Sequence, residues 1–209
     1  ELRARCDVVV VGGLSSGALL ALHLAAQRPK DVDACMLFSP TLWPNGWAVP
    51  KAFHLLKLVR HKWFANLFNF SEPAPYGIKD ERIRKFVLDS LQSEGRDPSH
   101  IFGRRGNVMW EFRMMRDAVR KQLGEVKQPT LIFHPRYDDQ SDITNTIQLQ
   151  QQLGGLVDVL VLDDSYHMVT LDRQRSLVLE RAVEYGTWLT SRLAPRKDTA
   201  PAITRHAAE

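Results

Sequence analysis

Residues 6–29 of the 209-residue chain read CDVVVVGGLSSGALLALHLAAQRP, and they carry the clearest structural signal in the sequence. Four consecutive valines run into a glycine-rich turn, and a segment rich in alanine and leucine follows it. A continuous β-branched run is typical of a strand buried on both faces, and the later segment is typical of a helix packed against a sheet. The stretch therefore predicts a strand over residues 7–11, a tight turn, and a helix over residues 18–27.

The glycine-rich turn has three candidate functions, and its residue types separate them. A phosphate-binding P-loop needs a lysine followed by serine or threonine after its last glycine, whereas here Gly17 is followed by Ala18 and a leucine. A dinucleotide site needs glycine at the third position of its fingerprint, and if Gly12 is the first position the third is Leu14. It also needs an acidic residue at the end of the next strand, where the chain has Ser39. Both nucleotide interpretations are therefore disfavoured.

The pattern that fits is G-x-S-x-G, which runs from Gly13 to Gly17 with Ser15 at its centre. Between a buried strand and a helix, this pattern holds a serine in a strained backbone conformation that lifts its hydroxyl above the sheet. The glycines leave room for neighbouring backbone, and the start of the helix places partial positive charge near a developing oxyanion. The turn predicts Ser15 as a nucleophile, and a glycine-rich turn with bystander serines is the competing interpretation.

Further apolar runs predict that the first strand belongs to a larger parallel sheet. Three more strands are expected at residues 34–38, 130–133 and 157–162, with helices over 144–153 and 173–192. Strands that alternate with helices form a mostly parallel sheet flanked by helices. The predicted fold class is therefore α/β.

The connection between the second and third strands is too long for a simple crossover. Roughly ninety residues lie there, where a dozen or a few dozen would suffice, so we expect an inserted helical cap. We divide the chain into a core of residues 1–40 and 128–194 and a cap of residues 41–127. Residues 195–209 form a tail whose proline- and alanine-containing sequence predicts disorder.

A serine nucleophile needs a base and a group that orients the base, and two later turns supply candidates. HPRYDDQSD begins as the third strand ends, and DDSYHMVTLD follows the fourth. Both turns fall at the carboxyl ends of parallel strands, the edge where ligands bind in open α/β sheets. Asp138 is the natural acid and His167 the natural base. Four other aspartates stay open as the acid: Asp139 and Asp142 in the first turn, and Asp163 and Asp164, which precede the histidine in the second.

Composition argues against several other classes of protein. A formal net charge of +4, part of it in the tail, gives no reason to expect a nucleic-acid partner. No window approaches eighteen apolar residues, and the first residues lack the pattern of a signal peptide, so a cytoplasmic protein is expected. Cys6 and Cys35 form no CxxC pair, and the histidines lack the paired spacing of a metal site. We therefore expect neither a metal nor a cofactor.

The elbow GLSSG with its helix, HPRYDD at the end of a strand, and SYHMVTLD before the last helix resemble the α/β-hydrolase superfamily. Within it, they are most similar to the bacterial carboxylesterase and monoacylglycerol-lipase branch. The resemblance implies a serine hydrolase that cleaves carboxylic esters through an acyl-enzyme, with Ser15, His167 and Asp138 as its triad. It also implies that the backbone N–H of Ser16 is an oxyanion donor. The implied substrate is a small-molecule ester or a lipid-like ester.

The chain departs from the pattern of this branch in two ways. Pro135 and Tyr166 stand where the branch usually has glycine, and Ser16 and Ala18 replace its commoner elbow residues. In the superfamily the serine turn follows the fifth strand of the sheet, whereas here it comes after about a dozen residues. We therefore expect residues 1–209 to be a fragment of a complete hydrolase, without its N-terminal strands and its second oxyanion loop. Since losing one oxyanion donor typically costs a hundredfold or more in rate, we expect poor activity from residues 1–209 alone, and efficient ester turnover would contradict that view. A non-catalytic pseudoenzyme and, less favoured, a nucleotide-dependent oxidoreductase are the alternatives.

The predicted cap carries many aromatic residues, and residues 51–70 space their apolar residues nearly as a helix does. One interpretation is a lid helix that covers an acyl pocket and makes weak contact with a membrane surface. The other is a cap helix that packs its aromatic face on the core. The second is favoured because helical spacing alone rarely separates the two.

Overall fold

The computed structural model describes residues 1–59, 61–70, 74–96 and 104–193. Its strands are β1 (Val10–Leu14), β2 (Ala34–Phe38), β3 (Asn69–Phe70), β4 (Arg104–Arg105), β5 (Thr130–Pro135) and β6 (Val157–Leu162). Its α-helices are α1 (Ser16–Gln27), α2 (Lys62–Ala65), α3 (Glu81–Ser93), α4 (Gly106–Arg120), α5 (Thr144–Gln152) and α6 (Arg175–Leu193). The tail of residues 195–209, predicted to be disordered, lies outside the described residues. Across the described ranges, no helix combines the length and the apolar character needed to span a bilayer.

Four strands form a parallel sheet in the order β1–β2–β5–β6. β2 and β6 begin and end at the predicted residues, and the predicted α/β class, a mostly parallel sheet flanked by helices, is confirmed. The short β3 and β4 pair with each other in a separate antiparallel ribbon. Because the four strands of the main sheet run in one direction, their carboxyl ends share one edge, and the loops that follow them meet there.

The first strand lies three residues later than predicted. It spans Val10–Leu14 because both glycines of the turn continue the pairing with β2. A Cβ on Gly12 would lie 2.7 Å from the carbonyl oxygen of Met36, so the absence of a side chain allows the strand to continue. The expected burial on both faces is wrong as well. β1 is the edge strand of the described sheet, and Val10 is 39% exposed.

Two apolar clusters cover the two faces of the sheet. On one face, Leu19 and Leu22 of α1 are fully buried together with Leu149 of α5 and residues from the end of α4. On the other face, α6 buries Leu189 against Phe133 of β5. Each such buried side chain contributes about 1.5–3 kcal/mol relative to exposure. The clusters therefore fix the strand ends from which the functional loops emerge.

The described residues between β2 and β5 do not form the single long helix suggested by the spacing over residues 51–70. A 3₁₀ helix spans Lys51–Leu58, and the four-residue α2 and the two-residue β3 follow it. His61, at the start of α2, is extended with φ −120° and ψ 134°, and extended backbone interrupts helical hydrogen bonding. The predicted helix is therefore replaced by short pieces.

The aromatic residues of this segment form a small core of their own. The Phe53 ring lies 5.6 Å from the ring of Trp43 and 5.1 Å from the ring of Phe70, measured between centroids. Trp43 and Phe53 are buried with Met109 of α4. Aromatic pairs at such distances add to the stabilisation from area burial. Most of these rings thus pack against one another rather than along one helix face.

Candidate active site

Ser15 lies in the turn between β1 and α1, in a backbone conformation that residues other than glycine rarely adopt. Its φ is 57° and its ψ is −119°, and such a conformation costs about 1–3 kcal/mol. Neighbouring backbone maintains it, because the N–H of Ser15 donates to the carbonyl of Phe38 (2.9 Å) and its own carbonyl accepts from Ala18 (3.2 Å). The backbone strain expected from the G-x-S-x-G pattern is therefore present at Ser15.

The two glycines that flank the serine differ in why the turn needs them. A Cβ on Gly13 would lie 2.2 Å from the carbonyl carbon of Gly17, a distance that a real side chain could not tolerate. A Cβ on Gly17 would have no neighbouring atom within 4 Å. Steric crowding in the turn therefore requires glycine at position 13, and it does not require glycine at position 17.

Asp138 and His167 come together at the same edge of the sheet. Nδ1 of His167 lies 3.0 Å from Oδ1 and 2.9 Å from Oδ2 of Asp138, and both side chains are buried. Oδ1 of Asp138 also accepts from the backbone N–H groups of Gln140 (2.8 Å) and Ser141 (2.9 Å). Because a carboxylate accepts, this geometry assigns the proton to Nδ1 and leaves Nε2 as the acceptor. The imidazole thus has the tautomer that a general base requires.

The other aspartates of the two turns have different partners. Asp139 accepts from the backbone N–H of His167 (3.3 Å), not from its ring. Asp142 accepts from the N–H of Thr144 at the start of α5 (2.9 Å). Two further aspartates form exposed ion pairs: Asp163 with Arg136, and Asp164 with Lys79 and Arg173. The geometry therefore favours Asp138 over these four as the residue that orients the imidazole.

Ser39–Thr41, the three residues that follow β2, contact all three functional loops, and no sequence pattern indicated a role for them. The hydroxyl of Thr41 lies 3.2 Å from the hydroxyl of Ser15. Ser39 donates from its hydroxyl to the carbonyl of His167 (2.7 Å), and the carbonyl between them, that of Pro40, accepts from the Ser141 hydroxyl (3.1 Å). β2 lies between β1 and β5 in the sheet, and this strand order is the signal that could have indicated their position.

A buried histidine lies beside the acid. Nε2 of His134 is 3.9 Å from Oδ2 of Asp138 and 2.8 Å from the carbonyl oxygen of Ser141, and its Nδ1 is 2.8 Å from the hydroxyl of Thr146. Since a carbonyl only accepts, Nε2 carries the proton. Burial lowers the pKa of His134, although the nearby Asp138 carboxylate opposes that shift. His134 is therefore neutral near pH 7. It does not form an ion pair with Asp138, so the carboxylate can stabilise positive charge on His167.

Two buried carboxylates attach residues 77–80 to the histidine loop. Asp139 accepts from the N–H of Gly77 (2.8 Å), and the carbonyl of Gly77 accepts from the N–H of Met168 (2.7 Å). Gly77 has φ +76°, and a Cβ there would lie 2.9 Å from the side chain of Met168, so glycine permits the close approach. Burial, and secondarily the charge of Asp138, raises the pKa of Asp139.

The second carboxylate, Asp172, is fully buried and accepts four backbone hydrogen bonds. Its Oδ2 accepts from Lys79 (2.9 Å) and Tyr166 (2.7 Å), and its Oδ1 accepts from Asp80 and Arg173 (both 2.9 Å). Hydrogen bonds to a charged acceptor contribute more than neutral ones. Asp172 therefore fixes the turn that carries His167 and the segment docked on it at the same time.

Replacement of Asp172 by asparagine is expected to lower the free energy of unfolding by about 2–4 kcal/mol. The amide keeps one oxygen, and its NH₂ group would face two backbone N–H donors that then lose their acceptor. Denaturant unfolding measures the change. The control is Asp158→Asn, which removes an exposed carboxylate paired with Arg181 and should cost less than about 1 kcal/mol. Equal losses in the two variants would contradict a structural role for Asp172.

The described residues show no cluster of three or more His, Cys, Asp or Glu side chains arranged to hold a metal ion. Ser16 is the first residue of α1, and the first N–H groups of a helix have no intrahelical acceptor. Its N–H is therefore a donor available at the turn that carries Ser15. Together, the site offers a hydroxyl, a buried imidazole held by a carboxylate, and a helix N-terminus.

Comparison with known families and sequences gave one clear relationship. The family model described as serine aminopeptidase, S33 (Hydrolase_4) matches residues 3–174, which include Ser15, Asp138 and His167. Comparison with characterised protein sequences gave no significant match.

Solved structures share the fold over most of the chain. One of the metagenome-derived lipolytic enzymes LipS and LipT has 22% identity and a TM-score of 0.62, covering 88% of this chain and 66% of that one. The monoacylglycerol lipase of Paleococcus ferrophilus has 17% identity and a TM-score of 0.63, covering 87% and 68%. A soluble variant of monoglyceride lipase from Saccharomyces cerevisiae has 14% identity and a TM-score of 0.64, covering 92% and 65%. The chain thus spans about two thirds of the length of these structures.

Proposed function

The chain belongs to the serine aminopeptidase S33 family of α/β-hydrolases, and on that premise we propose that it hydrolyses carboxylic esters of small or lipid-like molecules. The observation that carries the proposal is the buried contact of 2.9 Å between Asp138 and Nδ1 of His167. It occurs at the sheet edge where Ser15 occupies its strained turn. A serine nucleophile is activated by an imidazole that a carboxylate holds in this tautomer, with Nε2 free to accept a proton.

In the proposed reaction, Nε2 of His167 takes the proton of the Ser15 hydroxyl as Oγ attacks the ester carbonyl carbon. The tetrahedral intermediate places negative charge on the former carbonyl oxygen, and the N–H of Ser16 donates to it. The intermediate collapses when His167 returns the proton to the leaving alkoxide, which departs as the alcohol. Water, deprotonated by the same nitrogen, then attacks the acyl-serine. The bond to Oγ breaks as His167 returns this proton to Ser15, and the acid is released.

Asp138 acts through His167 in both halves of the reaction. Its carboxylate holds the ring orientation and stabilises the imidazolium that forms when Nε2 accepts a proton. Burial strengthens that electrostatic effect, because little water competes for the charge. The N–H groups of Gln140 and Ser141 keep Oδ1 in place, so the acid has little freedom to turn away.

The solved lipases support lipid-like esters as one substrate class. The segment between β2 and β5 presents Trp63 and Leu67, which are 71% and 72% exposed. Exposed tryptophan and leucine side chains are suited to the boundary between water and lipid. A weak contact with a membrane surface would be made through Trp63 and Leu67.

A panel of three substrate types tests the proposal: short and long p-nitrophenyl esters, a monoacylglycerol, and aminoacyl p-nitroanilides. The protein is expressed with whatever coding sequence flanks residues 1–209. We expect hydrolysis of the esters with kcat/KM at least about 100-fold above that for the anilides, because alcohols leave more readily than amines. Anilide hydrolysis at equal or greater efficiency would assign the family's peptidase activity instead. Turnover of none of them would favour the non-catalytic alternative.

A further inference from the structure

We propose that Thr41 is a positioning residue, which holds the Ser15 hydroxyl in place for its reaction by accepting a hydrogen bond from it in the resting enzyme. This inference rests on the proposed function of Ser15 and extends it to a residue outside the triad. Thr41 lies 26 positions from Ser15 in the chain and is only 4% exposed.

The direction of the hydrogen bonds follows from counting protons. Oγ1 of Thr41 lies 3.2 Å from Oγ of Ser15 and 3.2 Å from the carbonyl oxygen of Ser39. A carbonyl only accepts, and a threonine hydroxyl has one proton to donate. When that proton goes to Ser39, the contact with Ser15 requires the serine to donate and Thr41 to accept. The resting hydroxyl of Ser15 is therefore held by Thr41 in one rotamer.

The hydroxyl of Thr41 is itself held firmly. Ser39 has φ 43°, a conformation that non-glycine residues rarely adopt, and its N–H donates to the carbonyl of Phe133 (2.8 Å). Pro40 has a fixed φ, and Thr41, being β-branched, has a restricted χ1. The backbone N–H of Thr41 also lies 3.4 Å from the carbonyl oxygen of Ser15. The strained segment thus places both the backbone and the side chain of Thr41 beside Ser15.

This arrangement remains useful after the serine loses its proton. Rotation about the C–O bond of Thr41 turns its proton from the Ser39 carbonyl towards Ser15 Oγ, so the same contact survives with its direction reversed. Without it, Oγ can occupy the other staggered wells of χ1. A displacement of about 1 Å in a reacting group can cost about 100-fold in rate. Loss of the contact should therefore slow acylation and leave substrate binding largely unchanged.

The test compares Thr41→Val, which removes the hydroxyl at nearly constant shape, with Thr41→Ser, which retains it. The chain offers a matched control in Thr130→Val. Thr130 is 1% exposed and donates to the carbonyl of Gln128, two residues before it, at 3.1 Å, just as Thr41 donates to Ser39. Thr130 lies in β5. The Thr130→Val variant therefore measures how far the loss of a buried threonine hydroxyl with this hydrogen bond lowers stability and activity.

The measurements are the rate of labelling by a fluorophosphonate, kcat and KM for an ester, and unfolding by denaturant. We expect Thr41→Val to slow both labelling and kcat about 10- to 100-fold with KM changed less than about threefold. Thr41→Ser and Thr130→Val should stay within about threefold of the wild type. If Thr41→Val does not fold, Thr41→Ala is compared with Thr41→Ser by the same measurements, and the same difference is expected.

Labelling of Thr41→Val at the wild-type rate would overturn the inference and leave the proposed function intact. An equal loss in Thr130→Val would also overturn it, because the effect would then come from general destabilisation. Failure of the wild-type protein to label or to turn over any ester would instead overturn the proposed function, and the role of Thr41 would fall with it.

Discussion

Replacement of Ser15 by alanine is expected to lower kcat/KM for ester hydrolysis by about 10⁵-fold or more. Alanine removes the oxygen that forms the acyl-enzyme, and no covalent intermediate can then form. The remaining activity would come from binding and from the oxyanion donor alone. Steady-state kinetics with the best ester of the panel measure the change.

The control for this variant is Ser93→Ala, which changes an exposed serine at the end of α3. It should keep kcat/KM within about twofold, since surface substitutions away from special features have little effect. Both variants should have a free energy of unfolding close to that of the wild type. Ester turnover by Ser15→Ala at more than about a hundredth of the wild-type rate would show that another group is the nucleophile.

Replacement of Asp138 by asparagine should lower kcat by about 10⁴-fold while preserving the shape of the site. Two backbone N–H groups, those of Gln140 and Ser141, donate to Oδ1, so the amide oxygen will take that position. The NH₂ group then replaces Oδ2 and donates to Nδ1 of His167. This forces the neutral imidazole to carry its proton on Nε2, where it cannot accept the proton of Ser15.

The matched control is Asp142→Asn in the same loop. Asp142 accepts from the N–H of Thr144 through Oδ1, and asparagine can make the same bond at a helix start. Its kcat should therefore stay within about threefold of the wild type. Near-normal kcat in Asp138→Asn, together with a large loss in Asp139→Asn, would assign the orienting role to the neighbouring carboxylate.

The parts of the fold that sequence predicted well are those whose signals are local. Residues 34–38 and 157–162 are short apolar runs bounded by polar residues, and β2 and β6 match them. β1 was misplaced because its limits depend on pairing with β2, which runs through two glycines of low strand propensity. The apolar spacing over residues 51–70 reflects an aromatic cluster formed across several short pieces, and spacing alone cannot report such a cluster.

The candidate site shows the same division. Ser15, Asp138 and His167 could be proposed because each lies beside the end of a predicted strand, where the topology of a parallel sheet brings loops together. The hydrogen bond of Ser39 to His167 joins residues 128 positions apart, and that of Lys79 to Asp172 joins residues 93 apart. Serine, threonine and aspartate are common in loops. Local sequence patterns therefore cannot predict these long-range hydrogen bonds.

If Ser15 is an activated nucleophile, a fluorophosphonate should label the protein at this residue. The protein is treated with the reagent, digested, and its peptides are analysed by mass spectrometry. We expect one adduct, on Ser15, whose formation is slowed strongly by His167→Ala. No adduct on Ser15 in the folded protein, or one that forms equally fast in His167→Ala, would contradict the role of Ser15 as an activated nucleophile.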